Sequence, residues 1–127
     1  MPHFIVEYTD NIKEEANLPK LFEEIHKVFI ERDTIFPIGG IRSRAIELKE
    51  YRVADGAEDD AFVHAVLKIG DGRSDEIKKE VCTALFEVMT EHFSSLMAKR
   101  YLALSMELIE LSEVGTYKQN NIHARFK

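Results

Sequence analysis

Hydrophobic and polar positions divide the chain into eight readable segments. His3 to Tyr8 (HFIVEY) is short, aromatic and β-branched, and partly alternating, which predicts a strand. The run TDNIKEEAN that follows is polar and turn-like. Leu18, Leu21, Phe22, Ile25, Val28 and Phe29 then recur at spacings of three and four, predicting a helix from Leu18 to about Arg32. DTIFPIGG reads as a loop, broken by Pro37, Gly39 and Gly40. IRSRAIELKEYRVA is a second strand region, ended by Asp55-Gly56, and AFVHAVLKI is a third, ended by GDG. Ser74 can cap the next helix, with Asp75 and Glu76 in its first turn. Ile77, Val81, Leu85, Val88, His92 and Leu96 mark one face of a long helix to about Lys99, and YLALSMELIEL is the fourth strand.

The predicted order is strand, helix, strand, then the same again. Each helix can serve as a crossover between two parallel strands. The fold class is therefore α/β (α+β). One domain over residues 1–127 is expected, made of two β-α-β halves, about 1–58 and 59–127, with four strands and two helices on one face of the sheet. The other face is bare, strands two and four carry alternating apolar residues, and the sheet edges are unpaired. A second copy of the same chain is the simplest cover.

The 127 residues suffice for one domain with a real core. A net charge of −6 argues against a general nucleic-acid binder, which carries a basic stripe. It does not forbid a local arginine cluster facing an anion. No run has the length of a membrane span, no signal peptide is visible, and the lone Cys82 suits a reducing compartment. A cytoplasmic protein is expected. None of the five histidines has a metal-ligand spacing, and the two glycines of GDGRS are too few for a dinucleotide fingerprint. His64 reads as a strand residue with a local hydrogen bond, Cys82 as a packed residue.

Pro2 precedes the first strand directly. As the first residue of an edge it costs no ladder bond. Met-Pro is also a start that aminopeptidases trim, which would leave a free secondary amine at Pro2.

Four segments carry a resemblance: PHFIVE at the start, FPIGGIRSR, DDAFVHAVLKIGDGRS, and the tail KQNNIHARFK. Together they resemble the 5-carboxymethyl-2-hydroxymuconate delta-isomerases of the tautomerase superfamily, in order and over nearly the whole chain. GRSDEIKK also looks like the strand-to-helix junction of the small 4-oxalocrotonate tautomerases, half-length relatives built of one β-α-β unit. The resemblance implies a homotrimer, no metal and no organic cofactor. It implies a catalytic base at Pro2 and catalytic arginines at Arg42 and Arg73. It further implies a small anionic muconate-type substrate and a place in homoprotocatechuate (4-hydroxyphenylacetate) degradation. The second half begins DAFVH, without a proline, so one site per chain is expected.

The implied chemistry suits these residue types. Moving a proton along a conjugated enol or dienol acid needs one group that takes a proton and returns it elsewhere. An amine serves when apolar burial and nearby guanidinium groups lower its pKa. Phe4, Phe36 and Ile38 are candidate walls, and Arg42 and Arg73 candidate cations that also bind carboxylate with paired hydrogen bonds. Arg44 lies two residues from Arg42 and shares its strand face, so physics alone gives it equal standing. His123, in the tail, is a candidate pocket residue, and Ile122 and Phe126 are candidate anchors to a neighbouring subunit. Two other readings stand beside this one: a tautomerase of another 2-oxo or enol acid such as phenylpyruvate, and a non-catalytic trimeric ligand-binding module.

Overall fold

The computed structural model describes residues 1–127. Four strands, β1 (His3–Thr9), β2 (Arg42–Leu48), β3 (Ala61–Gly70) and β4 (Leu102–Leu111), form one sheet in the order β2-β1-β3-β4. β1 pairs parallel with β2, β3 pairs parallel with β4, and β1 and β3 meet antiparallel at the centre. Between the members of the first parallel pair runs helix α1 (Leu18–Ile30). Between those of the second run α2 (Asp75–His92) and α3 (Ser94–Lys99). Alternation decides which face is covered. Phe4 and Val6 of β1, and Val63, Ala65 and Leu67 of β3, are wholly buried with Leu21 and Ile25 of α1 and Val81 and Leu85 of α2 in one cluster. Ile5, Val66, Ile46 and Ile109 point to the opposite, uncovered face, where Ile46 stays 49% exposed.

The elements depart from the sequence expectation at four places. Pro2 is not at a sheet edge, because β1 is paired on both sides. It sits one residue before the ladder, where its missing N–H costs nothing, and its carbonyl accepts from the Arg42 amide at 3.0 Å. α1 ends at Ile30, two residues early, and β2 stops at Leu48 instead of running to Ala54. The last β1–β2 pair is Thr9 with Leu48; β1 then turns away through Asp10–Ile12, leaving the next residues no partner strand. The long helix breaks at Phe93, whose backbone leaves the helical region while its ring is buried. Ser94 Oγ donates to the Glu91 carbonyl there, a side-chain bond that competes with the helix ladder. The buried stripe runs Val81, Leu85, Met89 and Phe93 at a spacing of four, so Met89 and Phe93 lie in the core where periodicity pointed to Val88 and His92.

Candidate functional site

Topology brings four strand ends together. β1 and β2 begin, and β3 and β4 end, at the same end of the sheet, since His3 pairs with both Arg42 and Lys68 and Gly70 pairs with Leu111. A cavity of about 640 Å³ opens there, lined among others by Met1, His3, Arg73, Leu111, Tyr117 and Lys118. Pro2 is buried behind Met1 at its edge.

Local structure fixes the two arginines. Arg73 follows Gly70 and Gly72 and precedes the Ser74 cap, whose Oγ accepts from the Ile77 amide at 3.2 Å. Gly72 has φ +102°, a backbone that a side chain would strain. The Arg73 guanidinium donates to the Gly70 and Ile35 carbonyls, both at 3.1 Å, and lies 4.6 Å from the centroid of the Phe36 ring. Arg42 donates to the Gly39 carbonyl at 3.0 Å. Both arginines are thus held by neutral carbonyls, and neither is paired with a carboxylate. Arg44 shares the face of Arg42, as the spacing indicates, but contacts His3 Nδ1 at 3.2 Å instead. Burial lowers the pKa of His3, and the cations of Arg44, the amino terminus, Arg42 and Lys68 lower it further.

The candidate walls divide. Phe4 is wholly buried on the helix-covered face, because its strand position points away from the cavity. Phe36 is also wholly buried, stacked edge-on to Phe29, and backs Arg73 instead of lining the cavity. Ile38 opens the turn Ile38–Gly40, which forms the floor for the tail. His123 lies against Gly39 so closely that an added Cβ would sit 2.8 Å from its Nδ1. Asn120 Nδ2 donates to the Gly39 carbonyl at 2.8 Å and reaches Met1 Sδ at 3.7 Å. The tail therefore returns across the chain start. Ile122 and Phe126, the candidate anchors, are 37% and 48% exposed.

Electrostatics at the chain start favours a neutral amine. The amino group of Met1 is held below its ordinary pKa, first by burial and then by the cations of Lys118, Arg73 and Arg42. Lys118 is a residue that the sequence reading does not single out; its only signal there is its place at the head of the run KQNNIHARFK. No three His, Cys, Asp or Glu side chains lie close enough together to hold a metal ion.

A model of the 5-carboxymethyl-2-hydroxymuconate isomerase family matches residues 2–126. The chain belongs to that family. It is 50% identical to the 5-carboxymethyl-2-hydroxymuconate Delta-isomerase of Escherichia coli, over all of both chains. A crystal structure of a 5-carboxymethyl-2-hydroxymuconate isomerase from Deinococcus radiodurans R1 superposes with a TM-score of 0.96 at 53% identity, covering 99% of this chain and 94% of that one. A fused 4-OT symmetric trimer shares the fold at 22% identity and a TM-score of 0.62, over 92% of this chain and 93% of that one. The four-stranded sheet with its helices is thus a tautomerase fold, and this member of the isomerase family is an enzyme.

Proposed function

We propose that this enzyme acts on 5-carboxymethyl-2-hydroxymuconate as a cytoplasmic homotrimer in homoprotocatechuate degradation, with Pro2 as its acid and base once Met1 is removed. The observation that carries the reading is the placement of Pro2 beside a cavity where three cations bear on the chain start, in a chain that matches the isomerase family end to end. While Met1 is attached, the Pro2 nitrogen is an amide without useful basicity. Removal frees a secondary amine in the same half-buried, cationic surroundings, which keep a fraction of it neutral. That amine takes the proton from the enol oxygen and returns it to a carbon of the dienol as the double bonds move along the chain. Arg42 and Arg73 bind carboxylate and balance the negative charge that develops on the oxygen. Arg44, Ile38 and His123 shape the surroundings, and Phe36 acts by holding Arg73.

An absorbance assay with the muconate substrate tests this, comparing protein without Met1 against protein retaining one residue ahead of Pro2. Only the protein with the free amine should turn over, with both forms folded. Equal activity in the two would remove Pro2 from the chemistry.

A further inference from the structure

We propose that Lys118, in the C-terminal tail, is a specificity residue of this cavity: its ammonium holds the third carboxylate of a tricarboxylate substrate and selects it over mono- and dicarboxylate enol acids. The identity of the substrate rests on the isomerase reading above. The selection for a third carboxylate stands on the cavity itself.

Muconate carries a carboxylate at each end of its conjugated chain, and a carboxymethyl arm adds a third outside the conjugation. Three side-chain cations bear on the chain start, and they are held differently. Arg73 and Arg42 are pinned to carbonyls of their own chain. Lys118 lines the cavity and forms no hydrogen bond or ion pair within the chain, so its ammonium can follow a flexible arm. Its backbone is nonetheless placed. Thr116 Oγ1 bonds the Ser112 carbonyl on one side, and Asn120 is anchored to the Gly39 carbonyl on the other. Among the three cations, Lys118 acts most strongly on the terminal amine. Asp71 and Glu113 line the same cavity. Without Lys118, Arg73 would be the one Lys or Arg left in the cavity lining to offset their two negative charges.

The test uses protein lacking Met1 and titration calorimetry with two probes, trans-aconitate and mesaconate. They share an unsaturated dicarboxylate frame and differ by a carboxymethyl in place of a methyl. The wild-type chain should bind trans-aconitate about fivefold or more tightly than mesaconate, and Lys118→Met should erase that preference by weakening trans-aconitate far more than mesaconate. Lys118→Arg should keep the preference. Loss of affinity for both probes alike, an unchanged preference in Lys118→Met, or no preference in the wild type would each overturn the assignment. Turnover of 5-carboxymethyl-2-hydroxymuconate, measured on the same samples, judges the isomerase reading separately: a wild type that prefers trans-aconitate but turns nothing over retains the Lys118 site and loses the substrate.

Discussion

Arg73 shows how one side chain serves structure and site together. It joins the end of β3 to the loop before β2 through the Gly70 and Ile35 carbonyls, and it rests on the Phe36 ring. A charged donor to a carbonyl contributes about 1.5–3 kcal/mol when formed away from bulk water. Arg73→Ala should therefore lower kcat/KM by about tenfold or more, and lower the urea midpoint as well. Arg73→Lys separates the two effects. It keeps a positive charge but cannot bridge two carbonyls or stack its plane on the ring, so it should recover part of the activity and little of the stability. If Arg73→Ala leaves kcat/KM unchanged, its charge has no part in the reaction.

At the scale of elements, polar contacts as well as the core tie α1 to the sheet and α2 to the segment that leads into α1. His26 of α1 meets Ser43 Oγ of β2 at 2.8 Å, and His92 Nε2 donates to the Ala16 carbonyl at 2.6 Å. Burial lowers the pKa of His26. A histidine whose folded pKa lies below its unfolded value binds fewer protons when folded, so its stabilising share is full above the unfolded value and is lost as pH falls through the folded one. His3 is shifted in the same direction. The urea midpoint should therefore decline between about pH 7 and pH 5, and His26→Gln should flatten that decline in part, with His3 responsible for some of the rest. An identical slope in His26→Gln would show that the α1–β2 contact does not feel protonation.

For the whole molecule, the uncovered sheet face is the surface on which the proposed trimer is tested. It mixes apolar side chains, Ile5, Val66, Ile46 and Ile109, with a polar strip where His64 meets Ser105 at 2.7 Å and Glu107 at 3.3 Å. Apolar side chains on all four strands of an uncovered face are stable in water when another copy covers them. In the trimer we propose, Val66 lies at the centre of the buried surface. Val66→Asp should leave the circular dichroism of the chain unchanged and shift sedimentation from trimer to monomer at micromolar concentration. A wild type that sediments as a monomer would contradict the trimer, and a Val66→Asp trimer would move the interface off this face.

The chain's own pattern determined the elements and their order. Periods of two and of three to four report which side of a strand or helix is buried, and that information is local: it placed β1, α1, β3 and the start of α2 to within a residue or two. The quoted motifs carried the family and pointed to Pro2, Arg42 and Arg73. Element ends were less legible, because β2 stops where its neighbour stops and α2 breaks where Phe93 enters the core. Neither cause is visible in the residues concerned. Only the tertiary structure showed that Phe36 backs Arg73 from inside the core, that Arg44 turns to His3, and that the tail crosses the chain start to set Lys118 in the cavity. These contacts join residues far apart in sequence. They exist because the antiparallel meeting of β1 and β3 puts the starts of one parallel pair beside the ends of the other, a pairing that no local period encodes.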